Sequence, residues 1–448
     1  MPDTYQTHSQ DEMNATIGNP ASLKKFLQTA HPVDIAAYIE NLPAVDAKKT
    51  LLELETETQG KVFGYLRPET QVDLAQTIGR RRLADIMTTM SADDRADVFN
   101  RLEEQQQEAL LPGLAQAERE DLRRLAAYEE GTAGALMTSS YATLNPEHDA
   151  REAIKTLRLQ APDKETIYRA FVLDEGGKLI GAVRLQDIIL ARPNTKIKNL
   201  MDKEPITAHL DETQESVAQT LSRYDMLAVP VVDESGVLYG IVTYDDALDA
   251  LEEEATEDFQ KFGTVGKISE SMKDASFWLL YRKRIGWLVL LVFGNLFSSA
   301  GIAFFEDTIA AYVALVFFLP LLIGSGGNAG AQAATMMVRA LATGDVVMRD
   351  WARMLGREVF VGTALALTMA LAVTPISLAR GSMDIAWVVG LTMIVVVVAG
   401  SLVGMSLPFL LSKLKLDPAT ASAPLITTVC DVIGVVSYFG IASVILFN

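Results

Sequence analysis

Five long apolar segments lie in the last part of the chain and constrain its fold more than any other feature. They lie near residues 285–305, 309–340, 357–379, 385–411 and 422–447. Each can cross the hydrocarbon core of a bilayer, which is about 30 Å thick and takes roughly 20 helical residues. The sequence therefore predicts an all-α transmembrane domain of five helices over residues 282–448.

Charge divides the chain into two parts. Residues 1–270 contain 28 Lys and Arg against 48 Asp and Glu, a balance of −20, whereas residues 271–448 contain 11 against 9, a balance of +2. An acidic part of this size attracts cations and repels nucleic acid. We therefore expect cations and the lipid bilayer as partners, and no nucleic acid.

Basic residues next to the apolar segments predict the orientation in the membrane. They are Arg282, Lys283 and Arg284 before the first segment, Arg349, Arg353 and Arg357 after the second, and Lys413 and Lys415 after the fourth. Since Lys and Arg are enriched on the cytoplasmic side, these charges agree on one topology. The N-terminus is expected in the cytoplasm and the C-terminus outside, in a plasma membrane (the inner membrane of a bacterium).

Asp431 lies inside the last apolar segment. A carboxylate at membrane depth costs roughly 2.5–3.5 kcal/mol and usually marks an ion pathway. Thr427, Asp431 and Gly434 are spaced i, i+4, i+7, so they share one helix face. The alternative is a carboxylate buried against a neighbouring helix for packing. The segment contains no Lys or Arg that could pair with Asp431, which favours the ion pathway.

The second apolar segment is unusually rich in glycine and amides over residues 320–332. Its propensity for helix is poor, and non-regular backbone at membrane depth is tolerated only against protein or a water-filled cavity. Asn328, Gln332 and Thr335 are spaced i, i+4, i+7 and offer neutral oxygens on one face. The alternative interpretation of the glycines is close helix packing through small residues.

The acidic part begins with a polar segment, residues 1–22, for which we expect disorder. A twelve-residue repeat follows in the helical-repeat domain predicted for residues 23–130. Its apolar positions are Leu42, Leu54, Leu66, Ile78, Met90, Leu102 and Leu114. Because twelve is not a multiple of 3.6, one continuous helix would rotate this face around its axis. Breaks at Pro43, Pro68 and Ser91 predict instead short helices stacked into a superhelix.

Residues 131–252 contain two copies of a βαββα unit, about 136–195 and 200–252. Residues 174–183 align with residues 233–242, with hairpin turns at Gly176-Gly177 and Ser235-Gly236. This duplication resembles a tandem pair of CBS domains. Such pairs often hold adenosine nucleotides, so ATP or a related nucleotide is expected at Thr243 and Asp246, where the spacing Ser/Thr-x-x-Asp occurs. Residues 253–281 are predicted to form a connecting helix.

The ordered set of motifs resembles the MgtE family of magnesium channels. It comprises residues 128–138, the CBS pair, Gly-Gly-Asn-Ala-Gly-Ala-Gln at 326–332 and Thr-Thr-Val-Cys-Asp-Val-Ile-Gly at 427–434. The resemblance implies a homodimer whose pore lies at the two-fold interface, where Asp431 of both subunits meets a largely hydrated Mg²⁺. Mg²⁺ dehydrates reluctantly and prefers oxygen ligands, which agrees with this arrangement. The implied pore-lining residues are Asn328, Gln332, Thr335, Thr427, Thr428 and Gly434.

The resemblance also implies regulatory Mg²⁺ ions that hold the N-terminal domain, the CBS pair and the connecting (plug) helix in a closed state. The matching ligands are Asp93, Asp97, Glu215, Asp225, Asp246, Asp249, Glu254, Glu257 and Asp258. Clustered carboxylates repel each other until a cation intervenes. The alternative is a solvated acidic face.

The expected function is a Mg²⁺-selective uptake channel that cytoplasmic Mg²⁺ closes. The chain has no G-x-x-x-x-G-K-[ST] loop for ATP hydrolysis, and its four histidines lie outside the membrane segments, so it is not expected to be an enzyme. Two alternatives share these features. One is a gradient-coupled divalent-cation transporter (Mg²⁺ or Co²⁺), and the other is a membrane-anchored nucleotide sensor.

Overall fold

The computed structural model describes residues 20–268 and 275–447, and it divides the chain into two compact units, Met1–Glu252 and Glu253–Asn448. Residues 1–19 of the predicted disordered segment lie outside the described residues. Residues 20–22 are helical, because helix α1 already begins at Pro20, and proline is well suited to a first helical position.

Short helices build the first part of the first unit. They are α1 Pro20–Thr29, α2 Pro32–Glu40, α3 Ala44–Glu53, α4 Thr56–Gly64, α5 Pro68–Thr77, α6 Arg80–Thr88, α7 Ala92–Arg101, α8 Glu104–Leu110 and α9 Gln116–Leu125. The predicted breaks are confirmed: Pro43 and Ser91 are the N-caps of α3 and α7, and Pro68 begins α5. The apolar residues at the repeat positions from Leu54 to Leu114 are all buried. They therefore form part of the core of the stack.

Two three-stranded sheets follow. Their elements are α10 Ala133–Leu136, β1 Tyr141–Leu144, α11 Ala150–Gln160, β2 Thr166–Leu173, β3 Leu179–Arg184, α12 Leu185–Leu190, β4 Ala208–His209, α13 Gln214–Arg223, β5 Ala228–Val232 and β6 Leu238–Thr243. Both sheets have the same topology: the first pair of strands is parallel, and the second pair is antiparallel. The predicted duplication is therefore present in the structure.

The hairpin turns occur where the sequence predicts them. Gly177 and Gly236 have φ of +80° and +84°, a region that favours glycine. The Asp174 carboxylate accepts hydrogen bonds from the backbone N–H groups of Gly176 and Lys178, and Asp233 does the same in the second copy. The two hairpins bond to each other, with Leu179 N donating to Gly236 O at 2.9 Å.

The helical stack and the second CBS copy share one hydrophobic core. Leu122 and Leu125 of α9 belong to the same buried cluster as Val217 and Leu221 of α13. Arg124 of α9 donates to Tyr239 O of β6 at 3.2 Å. These contacts place the helical stack against the second sheet within the first unit.

The connecting helix, α14, is Tyr244–Phe262. It begins directly after β6 and ends well before residue 281, so the predicted bounds of 253–281 are wrong. The end has a local cause: Gly263 follows the helix, and Thr264 adopts a left-handed φ of +57°, which a continuing helix cannot contain. Residues 269–274 lie outside the described residues.

Five helices of the described part of the chain are long and apolar enough to cross a membrane. The last unit contains α15 Phe277–Phe304, the short α16 Glu306–Ala311, α17 Ala314–Ala342, α18 Trp351–Arg380, α19 Met383–Lys413 and α20 Ala423–Leu446. The first span begins at Phe277 rather than near residue 285. The second begins at Ala314 rather than 309, because residues 306–311 form a separate helix.

Helix α17 is continuous through Pro320 and the glycine-rich stretch, so this span is helical despite its poor helix propensity. The glycines allow close packing. A Cβ atom at Gly400 of α19 would collide with Gly326 O of α17, and one at Gly404 would collide with Gly330 O. The two backbones thus touch directly along one face, the mode of packing typical of small residues in membrane helices.

Substitution of Gly404 tests this contact. Gly404→Ala should destabilise the membrane unit by about 1–3 kcal/mol, because the added methyl group meets backbone that cannot move alone. Gly356→Ala in α18 is the matched control, since a Cβ there meets nothing within 4 Å. Thermal unfolding of the detergent-solubilised protein measures the difference, and equal melting temperatures for the two variants would contradict the packing account.

Candidate ion pathway and acidic regulatory cluster

Helix α20 presents Asp431 at membrane depth. The Ser422 hydroxyl caps its N-terminus by accepting from Leu425 N. The Thr427 and Thr428 hydroxyls both donate to Pro424 O at 2.9 Å, so each retains lone pairs for other donors. Asp431 is half-buried, and within the described part of the chain it makes no hydrogen bond or ion pair. A carboxylate that served packing would have partners, so its environment favours the ion pathway.

The neighbours of Asp431 show which way it points. Thr427 packs on Gly327 of α17, with its Cγ2 3.0 Å from an ideal Cβ there, and Thr428 packs on Gly294 of α15 at 2.6 Å. Because successive helical residues turn by roughly 100°, Asp431 lies on the face of α20 between these two contacts. It therefore faces the groove between α15 and α17.

The polar residues of α17 lie on the surface of the protomer. Asn328, Gln332 and Thr335 are exposed, whereas Gly326 and Gly330 on the other side are buried. Amides exposed to lipid would be costly, so this polar face requires water or a second subunit against it. Gly434, by contrast, lies inside the protomer, where an ideal Cβ would be 3.3 Å from Ile323 of α17. Its expected position on the pore surface is therefore wrong.

An acidic cluster forms in the first unit between α7 and the start of α14. Asp93 and Asp246 are its centre, and each is half-buried. Burial and the nearby charge of Asp246 raise the pKa of Asp93 well above its usual value. Burial raises the pKa of Asp246 to about 7, with Asp245, Glu165 and Asp94 adding to the shift and the Thr243 hydroxyl opposing it.

The cluster contains an unsatisfied polar atom. Asp93 Oδ1 is buried and has no hydrogen-bond partner. A buried carboxylate oxygen without a donor is costly, and both raised pKa values express the same cost. A cation or a proton between the carboxylates would remove it. Oxygen donors of this kind suit Mg²⁺, which usually keeps several waters and binds one or two carboxylates directly.

The structure brings together only some of the predicted regulatory ligands. Asp249 lies at the edge of the cluster, where burial and then the charges of Asp245, Glu252 and Asp94 raise its pKa. Asp97 is exposed and pairs with Arg101 at 3.2 Å. Glu215 accepts a hydrogen bond from Gln219 on α13.

Sequence reasoning missed three members, Asp94, Asp245 and Glu165. The first two stand next to predicted ligands in Asp-Asp pairs, which was a usable signal. Glu165 belongs to a loop whose position only the tertiary fold determines. Among residues 20–268 and 275–447, no three His, Cys, Asp or Glu side chains form a ready-made metal site.

Three other predicted ligands, Glu254, Glu257 and Asp258, lie in the second unit. Glu257 forms ion pairs with Lys261 at 2.6 Å and with Lys267 at 3.0 Å. Burial and the charge of Asp417 raise the pKa of Asp258 to about 6. Asp258 is thus the member of this group whose negative charge is poorly compensated.

The CBS pair contains a cavity of about 1010 Å³. Its lining includes Tyr168, Arg169, Arg184, Asp187, Tyr224 and the predicted ligand Asp225. Arg184 donates to both carboxylate oxygens of Asp187, at 2.8 and 3.0 Å. Arg169 Nε is buried and has no hydrogen-bond partner, so this cavity can accept a further anionic group.

The predicted nucleotide residues lie elsewhere. Thr243 is buried, and its hydroxyl donates to Asp246 in the acidic cluster. The Thr243 hydroxyl is therefore used within the protein. The cavity lies instead beside Arg184, the equivalent position of the first copy, and residues of both copies line it. The expectation of a nucleotide at Thr243 and Asp246 does not fit the structure.

Taken together, a membrane unit with an unpaired carboxylate and an acidic unit with two duplicated sheets are features of a cation transporter. Residues 30–131 match the model of the MgtE intracellular N domain, residues 133–194 and 197–253 match the CBS domain, and residues 319–441 match the divalent cation transporter domain called MgtE.

Known proteins align over nearly the whole chain. It is 37% identical over 432 residues to the magnesium transporter MgtE of Thermus thermophilus, covering 96% of each chain. It is 31% identical to the Bacillus subtilis magnesium transporter MgtE, covering 96% of this chain and 95% of that one. The crystal structure of the cytosolic domain of the Mg²⁺ channel MgtE in complex with ATP superposes with a TM-score of 0.50 at 35% identity, covering 53% of this chain and 97% of that one.

The chain belongs to the MgtE family of magnesium transporters. The predicted fold class is confirmed: a helical N-terminal domain, a CBS pair and five apolar helices. The chain is accordingly a membrane transporter of divalent cations and not an enzyme.

The raised pKa of Asp246 in the acidic cluster leads to a testable prediction. The raised pKa of Asp246 means that the folded state favours the protonated form. The contribution of Asp246 to stability is therefore fully present below about pH 4 and is lost as the pH rises through about 7. Asp246→Asn should then stabilise the protein at pH 8, by an amount on the order of 2 kcal/mol, and have little effect at pH 4.

Thermal unfolding of the first unit in Mg²⁺-free buffer measures this difference. Asp233→Asn is the control, because the pKa of Asp233 is lowered by hydrogen bonds from Ser235 and its turn, so its substitution should destabilise at pH 8. An Asp246→Asn effect that is the same at both pH values would show that the cost of the ionised, partly buried carboxylate is not its cause.

Proposed function

We propose that the protein is a Mg²⁺-selective channel for uptake across the plasma membrane, and that cytoplasmic Mg²⁺ closes it. The observation that carries the proposal is Asp431, half-buried and without a partner in the described part of the chain, beside the exposed polar face of α17. A membrane anchor for a nucleotide sensor needs neither feature.

A second copy of the chain would complete the pore. The exposed Asn328, Gln332 and Thr335 need a polar environment at membrane depth, and a homodimer with a water-filled interface supplies it. Asp431 of each subunit then attracts the ion. Because Mg²⁺ keeps most of its waters, the oxygens of Thr427 and Thr428 would accept hydrogen bonds from those waters rather than bind the metal.

Orientation and driving force follow from charge. With basic residues on the cytoplasmic side, the acidic unit and the N-terminus lie in the cytoplasm and the C-terminus outside. The membrane potential then drives entry, since moving a divalent charge inward through 100 mV yields about 4.6 kcal/mol. A gradient-coupled transporter is the competing mechanism, and it predicts no current without a Na⁺ or H⁺ gradient.

The acidic cluster supplies the response to cytoplasmic Mg²⁺. At low Mg²⁺ the repulsion between Asp93 and Asp246 opposes their close approach. A bound Mg²⁺ would remove that cost, with Asp93, Asp246 and Asp249 as ligands. The ion favours the closed state only to the extent that it binds this state more tightly than the open one.

Substitution of Asp431 tests the pore. Asp431→Asn keeps the size of the side chain and removes the charge, so Mg²⁺ uptake into proteoliposomes should fall by about tenfold or more. Asp384→Asn, an exposed carboxylate at the start of α19, is the matched control and should transport normally. Normal uptake by the Asp431 variant would remove this residue from the pathway.

The cavity of the CBS pair is a candidate binding site for a second ligand, an adenosine nucleotide. The solved relative in complex with ATP supports this assignment, and Arg169 and Arg184 supply positive charge for phosphate. Arg184→Ala should weaken ATP binding by about tenfold, because a charged hydrogen bond is lost and Asp187 is left unpaired beside the phosphates. Calorimetry with ATP measures the affinity, with exposed Arg192→Ala as control, and an unchanged affinity would exclude this cavity.

A further inference from the structure

Lys261 joins the end of the connecting helix to the loop between α19 and α20. Its ammonium group lies 2.6 Å from Asp417 Oδ2 in that loop and 2.6 Å from Glu257 Oε1 one turn earlier on α14. Lys267 lies 3.0 Å from Glu253 and 3.0 Å from the other oxygen of Glu257. Two lysines therefore already neutralise Glu257, one of the residues expected to bind Mg²⁺.

Each of the two carboxylate oxygens of Asp417 makes a structural contact. Its Oδ1 accepts from Ala419 N at 2.8 Å and so caps the turn Pro418–Thr420, which leads into α20. Its Oδ2 accepts from Lys261. The carboxylate thus connects α14 mechanically to the start of the helix that contains Asp431.

Apolar and backbone contacts support the same attachment. Phe262, next to Lys261, packs against the buried cluster of Ala334, Ile426 and Cys430 from α17 and α20. Gly266 N, just beyond the helix, donates to Lys283 O of α15 at 2.9 Å. The end of the connecting helix is therefore docked on the membrane unit, with Lys261 at the centre of the contact.

The ion pair is partly removed from water. The side chains of Lys261, Glu257 and Asp417 are 27%, 20% and 35% exposed. Burial alone would lower the pKa of Lys261, but its hydrogen bonds to Asp417 and Glu257 outweigh this and raise it. Removing one partner of a partly buried pair leaves an uncompensated charge, which costs more than the pair contributes.

We propose that Lys261 is a tethered cation that docks the connecting helix on the loop before α20 without Mg²⁺. The covalently attached ammonium provides part of the free energy of the closed state, so fewer or weaker regulatory ions are needed to complete closure. This inference rests on the proposed Mg²⁺-gated channel. It adds a contribution to gating that is independent of the cation concentration.

Two independent readouts test the proposal on the full-length protein. The first is the Mg²⁺ concentration that half-closes the channel in patch recordings. The second is the rate of trypsin cleavage after Lys267 in Mg²⁺-free buffer, which reports whether this segment is docked. The variants are Lys261→Met, which keeps the apolar stem, Asp417→Asn, which can still cap the turn, and their combination. Lys261→Arg restores the charge.

Lys261→Met and Asp417→Asn should each raise the half-closing Mg²⁺ concentration by roughly threefold or more and should accelerate cleavage. Because the two residues form one interaction, the double variant should differ little from either single variant. Lys261→Arg should resemble the parent. Lys49→Met is the control, since its pair with Glu53 is mostly exposed.

The proposal is overturned if Lys261→Met closes at the parent's Mg²⁺ concentration and is cleaved at the parent's rate. A parent that Mg²⁺ does not close would contradict the proposed function, and the cleavage rates would still decide the role of Lys261.

Discussion

The organisation of this protein depends on carboxylates that are partly removed from water and have no compensating cation beside them. Asp431 is at membrane depth, and Asp93 and Asp246 are half-buried opposite each other in the soluble unit. Each arrangement opposes stability and is costly to maintain. In the proposed function, a divalent cation would offset the cost in both places. The same chemistry can thus supply transport in one unit and sensing in the other.

The two units keep these carboxylates in place by different means. In the membrane unit, direct contact between the backbones of α17 and α19 at Gly326 and Gly400 forms a rigid core, against which α20 packs. In the soluble unit, α9 and the second CBS copy share a hydrophobic core, and this apolar packing keeps Asp93 near Asp246. Repulsion between the two carboxylates opposes the packing, so a bound ion can shift the balance between them.

Most of the fold could be predicted from the sequence, because periodic patterns encode it. Twelve-residue spacing, the duplicated Asp-x-x-Gly turns and the apolar segments are local signals, and the structure contains the corresponding elements. Helix ends were less predictable. The connecting helix ends at Phe262 because Gly263 and Thr264 terminate it locally, and the glycine-rich part of α17 remains helical because α19 packs closely against it.

The sites were predicted less completely, since they depend on contacts between distant segments. Asp431 was identifiable because a carboxylate in an apolar helix is anomalous by itself. Glu165 joins the acidic cluster only through the fold, and Gly434 turned out to pack inside the protomer. The nucleotide motif at Thr243 was misleading, because its hydroxyl is used by Asp246, whereas the cavity lies beside Arg184.

The central claim is that cytoplasmic Mg²⁺ closes a Mg²⁺ pathway by binding between carboxylates that otherwise repel. Patch recording of the purified protein in the absence of Na⁺ and H⁺ gradients, at micromolar and at several-millimolar cytoplasmic Mg²⁺, tests it most directly. The account predicts Mg²⁺ current at the low concentration and closure at the high one. Current that is absent without an ion gradient, or that is equal at both concentrations, would contradict it.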